Sequence, residues 1–165
     1  MCPVIRSLAL VFAVVVPFAA AAQTNIALGG ISADPNAPVE VTADMLTVDQ
    51  DTRSAVFTGN VVIGQGDMRI AAASVEVSYD EATGDISRFV ASGGVTFATA
   101  TEAAEAQSAD YDLVTGTLVM TGDVLLTQGT NALSAERMTI NLRDGTAQME
   151  GRVSTIFRPT PTEGN

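Results

Sequence analysis

The sequence has no histidine, no lysine and no tryptophan, and its one cysteine, Cys2, stands beside the first methionine. These absences exclude much chemistry. A Ser–His or Cys–His nucleophile pair cannot be built without histidine. A zinc site of the Cys/His kind has no ligands. One cysteine forms no intrachain disulfide. Only carboxylates remain as acids and bases, and the candidate pairs are Asp49 with Asp51, Asp80 with Glu81, and Glu102 with Glu105. All fall in expected turns or in an alanine-rich stretch, where solvated charge is the plain reading. A calcium loop needs alternating ligands, a glycine and a distant glutamate. The run Asp49-Gln50-Asp51-Thr52-Arg53 fails at the third ligand. No glycine-rich phosphate loop lies between a strand and a helix. The reading is therefore a binding protein rather than an enzyme, with no cofactor and no metal.

Positive charge is scarce too. Eight arginines face nineteen acids, for a formal net charge of −11. Counterion release on nucleic acid and attraction to an anionic membrane surface are both excluded as general modes. A long apolar run is also missing. Residues 8–16 are apolar but fall short of the roughly 20 needed to span a bilayer. With Arg6 before them and Ala19-Ala20-Ala21-Ala22 after, they have the form of a secretory signal. Residues 1–22 are expected to be a cleaved signal peptide with Gln23 first in the mature chain, an uncleaved anchor being the alternative. Cys2 precedes the apolar run, so a lipid-modified cysteine at the cleavage site is not expected. Loss of Arg6 takes the formal charge from −11 to −12.

A repeat is what the sequence does contain. Alternate residues read Phe57, Gly59, Val61, Ile63; then Ala91, Gly93, Val95, Phe97; then Met120, Gly122, Val124, Leu126. A worn fourth copy reads Met149, Gly151, Val153, Thr155, and the glycines stand 34, 29 and 29 residues apart. Period-2 alternation marks half-buried strands, and turn residues at Asp49-Gln50-Asp51-Thr52, Gln65-Gly66-Asp67, residues 80–85, Val114-Thr115-Gly116, residues 128–131 and Arg143-Asp144-Gly145 separate them. A unit of about 30 residues is one hairpin that cannot bury its face alone, so the hairpins stack. The fold class is all-β, and two packed, twisted sheets or a coiled jellyroll of repeated hairpins would both satisfy it. Glycine on the inward parity either bends the strand or leaves room inside, and the sequence leaves both open. Thr99 to Gln107 is rich in Ala and Glu and reads as a short helix or a loop. The alternation slips near Arg137-Met138, which marks a bulge.

The expected inward set also includes Met68, Val75, Leu118 and Leu133, with Ala43, Ala72, Ala91, Ala109, Ala135 and Ala147 as small partners on that face. Tyr79 is expected to continue the inward row of Val75 and Val77. Aromatics are only 5% of the sequence. Small residues and flexible methionines suit a cavity for acyl chains, and an ordinary Ala/Val-rich core fits nearly as well.

Pro38-Val39-Glu40-Val41-Thr42-Ala43-Asp44, then Phe57-Thr58-Gly59-Asn60-Val61, Gln65-Gly66, Met68-Arg69-Ile70 and Ala73 resemble the LptA/OstA-like family. Met120-Thr121-Gly122-Asp123-Val124 repeats the theme, and Arg152-Val153-Ser154-Thr155-Ile156 is similar to the family's closing strand. The resemblance runs from about Pro38 to Pro159. It implies a twisted β-jellyroll with an apolar groove open at both ends, in a periplasmic protein that binds lipopolysaccharide. Its partners are implied to be the OstA-like domains of the inner-membrane and outer-membrane transport proteins, with further copies stacked head to tail. The resemblance further implies that lipopolysaccharide passes from the inner-membrane export complex to the outer-membrane translocon. The edges are implied to be the first strands and the last, near Val153 to Phe157.

Alternation and resemblance together nominate Val39, Val41, Phe57, Val61, Ile63, Ile70, Phe89, Val95, Phe97, Tyr111, Leu113, Met120, Val124, Leu126, Ile140 and Met149 as acyl-chain contacts. The expected layout is a flexible lead-in over 23–37, one domain over 38–158 and a disordered tail over 159–165. Arg53, Arg69, Arg88, Arg137 and Arg152 are scattered, so acyl burial rather than headgroup clamping is expected to dominate. The alternative function is a secreted structural or adhesive β-repeat protein with a filled core and no lipid.

Overall fold

The computed structural model describes residues 24–27, 34 and 37–156. The expected signal peptide and tail lie outside the described residues. Eleven strands, all paired antiparallel, form one sheet among the described residues. They are β1 Thr24–Ala27, β2 Val39–Thr42, β3 Met45–Asp49, β4 Ser54–Gln65, β5 Met68–Tyr79 and β6 Ile86–Ala98. The rest are β7 Glu102–Asp112, β8 Thr117–Gln128, β9 Asn131–Asn141, β10 Thr146–Glu150 and β11 Ser154–Ile156. From β4 to β9 each strand pairs with its sequence neighbour. β2 and β3 both lie on β4, and β10 and β11 both lie on β9. Each of those two pairs is one strand bent in the middle.

The bends explain the glycine repeat. Ladder pairing shifts between Thr58 and Val61 on β4, between Ser92 and Val95 on β6, and between Thr121 and Val124 on β8. At each place two consecutive residues take positive φ: Gly59 with Asn60, Gly93 with Gly94, Gly122 with Asp123, and Gly151 with Arg152 between β10 and β11. Each doublet is a bulge that kinks its strand. Stacked in register, the kinks fold the sheet along one line into two layers. Tyr111 on β7 ties the layers by donating from Oη to Gln65 Oε1 on β4, at 3.1 Å.

The glycines do not open space inside. A Cβ built on Gly59 would lie 2.5 Å from the exposed Asp44 carboxylate, and one on Gly151 would lie 2.5 Å from the exposed Glu136 carboxylate. Of the two readings the sequence left open, curvature holds. Around the bulges, Asn60 Nδ2 donates to Asp44 at 2.8 Å, Gln107 Nε2 donates to Asp123 at 2.8 Å, and Arg152 Nε pairs with Glu136 at 2.7 Å. Each of these polar contacts joins residues 16 apart. At the second bulge Ala73 stands against Gly93.

Two expectations need correction. The Ala/Glu-rich stretch is mostly strand β7, not helix or loop. Glu102, Ala104 and Ala106 turn inward while Ala103, Glu105 and Gln107 face out. Helix propensity gives way there because β6 and β8 present open ladders on both sides. The lead-in is partly ordered, since Thr24 to Ala27 pair with Met149 to Thr146 of β10. An unfilled sheet edge satisfies the backbone groups of this short segment. The slip near Arg137 is real: Glu136 and Arg137 are both exposed between buried Ala135 and Met138, opposite the Gly122–Asp123 bulge.

Candidate functional site

The inner faces of the two layers form one apolar cluster. Val61 and Ile63 on β4, Ile70 on β5, Phe89, Val95 and Phe97 on β6, and Tyr111 on β7 are buried in it. So are Met120, Val124 and Leu126 on β8, Ile140 on β9 and Met149 on β10. Val39, Val41, Phe57 and Leu113 pack against it half-buried. The structure therefore brings together all the residues nominated from sequence. Tyr79 and Ala43 leave the pattern. Tyr79 is exposed where the β5–β6 ladder shifts, and Ala43 is exposed at the bend between β2 and β3.

The interior is filled. Ile63, Val75, Phe97, Leu118, Met120, Val124 and Leu126 have no solvent-accessible surface. A side chain with none borders no space wide enough for water, so no hollow tube runs past these residues. Small and flexible side chains are common in the filling. Ala55, Ala72, Ala91, Ala104, Ala106, Ala109, Ala135 and Ala147 alternate with Met68, Met120, Met138 and Met149. Methionine repacks around varied shapes at low cost. Two outer grooves, of about 500 and 400 Å³, lie over the bulges and not in the interior.

Polar groups enter only at the ends of the strands. Among the described residues the buried polar side chains are Gln65 and Glu102. Gln65 accepts from Tyr111 and donates to the Ala37 carbonyl at 3.4 Å. Glu102 accepts from Thr99 at 2.9 Å, from Thr101, and from Gln128 at 3.2 Å. Burial pushes the Tyr111 phenol above its ordinary range, with the Arg143 charge pulling weakly the other way. Tyr111 therefore stays a neutral donor at physiological pH, stacked on Phe89 with ring centroids 6.3 Å apart.

Sequence reasoning missed the mouth of this interior. Leu46 stands opposite Phe57 and Val48 opposite Ala55, on the inward side of β3. Yet Leu46 is 52% and Val48 62% exposed, because among the described residues β3 has no neighbour beyond it. The signal was present: Leu46 and Val48 alternate with Thr47 across five residues. The interior is thus sealed along its length and bare at the β3 end.

Four of the arginines are committed elsewhere. Arg88 forms an ion pair with Asp110 and Arg152 with Glu136. Arg69 donates to the Gly66 and Met68 carbonyls, and Arg143 to the Val114 carbonyl. Among the described residues no basic cluster faces the interior, and none of their acidic groups converge to hold a metal.

Comparison with known proteins points the same way. Residues 40–146 match the family described as LptA/(LptD N-terminal domain) LPS transport protein. An uncharacterized protein of Rhizobium meliloti (strain 1021), R00383, is 27% identical over 158 residues, covering 89% of this chain and 85% of that protein. The fold is similar to the crystal structure of LptH from Pseudomonas aeruginosa, whose title calls it the LptA homologous periplasmic component of the conserved lipopolysaccharide transport device. That match has a TM-score of 0.69 at 16% identity, covering 77% of this chain and 99% of LptH. The chain belongs to the LptA/LptD N-terminal family of lipopolysaccharide-transport proteins.

Proposed function

We propose that this family member is a periplasmic bridge component that holds lipopolysaccharide acyl chains between its two layers. Copies stack head to tail, in contact with the OstA-like domains of inner-membrane and outer-membrane transport proteins. The observation that carries this reading is the interior itself. It is continuous, apolar, rich in Ala and Met, and exposed at the β3 end through Leu46 and Val48. Because the interior is filled in the free chain, acyl chains enter by parting the layers. They replace side-chain contacts with lipid contacts and add the apolar area of the lipid, at about 25 cal/mol per Å². A filled interior also suits the structural β-repeat reading, but family membership and the bare apolar end favour lipid.

The test is photo-crosslinking in cells. A photoreactive side chain at Phe97 or Tyr111 should label lipopolysaccharide. The same group at Val62, on the outer face and 37% exposed, should not. Absence of labelling from both interior positions overturns the assignment. Since Arg88 and Arg152 are ion-paired, Arg69 and Arg143 are held by carbonyls, and among the described residues no basic cluster faces the interior, lipid affinity should change little between low and high salt. A steep loss of affinity with salt would instead place the headgroup on a basic surface.

A further inference from the structure

The two edges of the sheet are unlike. Among the described residues β2–β3 is bare on its outer side, whereas β10 already carries β1. β11, the other half of the second edge, has no strand beyond it among the described residues. Strand polarity says what belongs there. An even number of antiparallel pairings separates β3 from β1, so the two strands run the same way, both away from the line of bulges. β2 runs toward that line and β11 away from it. A second copy brought up with its β2–β3 against β10–β11 is therefore antiparallel in both layers.

The kinks agree. Glycine doublets sit on β4, β6, β8 and the β10–β11 bend, while β5, β7 and β9 carry none. β2–β3 is of the second kind, so the joint continues the alternation of kinked and plain strands without a break. In the register by which β5 meets β4, Leu46 of the second copy falls opposite Met149 and its Val48 opposite Ala147. Thr24 and Ile26 occupy those positions now.

We propose that β1 is a stand-in for β3 of a second copy. It caps β10 in the free chain and gives way when a second copy docks. The proposal rests on the stacking reading above and names its control. Exchange keeps the backbone pairing on β10, adds pairing of β2 to β11, and covers the exposed Met45, Leu46 and Val48. A tethered strand competes at an effective concentration on the order of mM. The cap thus sets the concentration below which copies stay apart.

The test uses the full chain with Cys2→Ser. Ile26→Cys and Ala147→Cys stand opposite one another, so a disulfide ties β1 to β10. By sedimentation equilibrium the oxidised double variant should self-associate at least ~10-fold more weakly than the same protein reduced, because the tethered competitor can no longer leave. Ile26→Pro, which removes a ladder donor from β1, should associate more tightly than the parent chain. Mixing a Val48→Cys chain with an Ala147→Cys chain should give a disulfide-linked heterodimer. Equal association of the oxidised and reduced forms overturns the cap while leaving stacking standing. If parent chain and Ile26→Pro both remain monomeric at mM concentration, stacking and cap fall together. Labelling of lipopolysaccharide from Phe97 then reports separately on lipid binding.

Discussion

β8 and β3 are written in the same code and meet opposite fates. On β8, Leu118 and Met120 share the inward parity and are completely buried. On β3, Leu46 and Val48 share that parity and remain more than half exposed. Nothing local distinguishes them. β8 has β7 on one side and β9 on the other, whereas among the described residues β3 has β4 alone. Alternation states which way a side chain faces, and only topology states whether anything covers it. In a stacked assembly that difference is useful, because an uncovered strand with an inward apolar row is half of a joint.

The comparison breaks most visibly on truncation. Leu118→Ala should destabilise the chain by about 3 kcal/mol, as a leucine lost from a sealed core leaves a cavity that only partly collapses. Leu46→Ala should cost under about 1 kcal/mol, since half the side chain is already in water. Denaturant unfolding measures both. Leu46→Ala should nevertheless weaken self-association, which Leu118→Ala would touch only through unfolding. Similar stability losses for the two would mean that β3 is covered in the free chain.

A second pair of substitutions separates backbone strain from crowding at one bulge. Gly93 and Gly94 both have φ above 80°. A Cβ on Gly93 would lie 2.7 Å from Ala73 Cβ, while one on Gly94 meets nothing within 4 Å. Gly94→Ala should cost about 1 kcal/mol for the left-handed conformation alone. Gly93→Ala should cost about 2–3 kcal/mol, because a neighbouring Cβ has no rotamer by which to move aside. Thermal unfolding of the two variants gives the difference directly. Equal values would show that the sheet yields at the kink.

Much of this fold was legible in the sequence, and the failures have physical causes. Every predicted turn lies between strands, because Asp, Asn and Gly at those places need no tertiary help. The glycine spacing revealed the period but not its purpose. By parity Gly59 belongs to the inner row, yet the Gly59–Asn60 doublet turns it against Asp44 outside. Residues such as Glu102 and Ala104 hid a strand behind helical propensity, which two flanking ladders override. The nominated interior residues converge as expected, since one face of a sheet has one inside. That the inside is filled depends on how closely the layers approach, which no single strand encodes.

The link between the layers supports a smaller effect. Tyr111→Phe removes the donor to Gln65 Oε1 and leaves a buried acceptor unpaired, at a cost of about 1–2 kcal/mol. Stability should fall by that amount in denaturant titration while Phe89 keeps its stacking partner. If the layers part to admit lipid, Tyr111→Phe should also raise the rate of lipid uptake. Unchanged uptake would mean that the layers open elsewhere.

The least effect is expected at two turns of the same design, one at the edge and one within the sheet. Asp80, between β5 and β6, accepts from the Thr83 and Ala82 backbone N–H groups, each at 2.9 Å. Asp49, between β3 and β4, accepts from Thr52 at 3.2 Å and Asp51 at 2.8 Å. The Thr83 N–H, then that of Ala82, holds the Asp80 carboxyl below its ordinary 3.8, and Thr52, then Asp51, does the same for Asp49. A depressed folded value stabilises the chain above about pH 4, and the contribution is lost as pH falls through the folded value. Asp80→Asn should therefore lower Tm slightly at pH 6, with the gap from the parent chain closing toward pH 2. Asp49→Asn should follow the same pH course with a smaller gap, because an edge hairpin opens locally before the sheet does. A larger gap for Asp49→Asn would show that β3 melts with the centre, and that the difference between the two regions is one of covering alone and not of local stability.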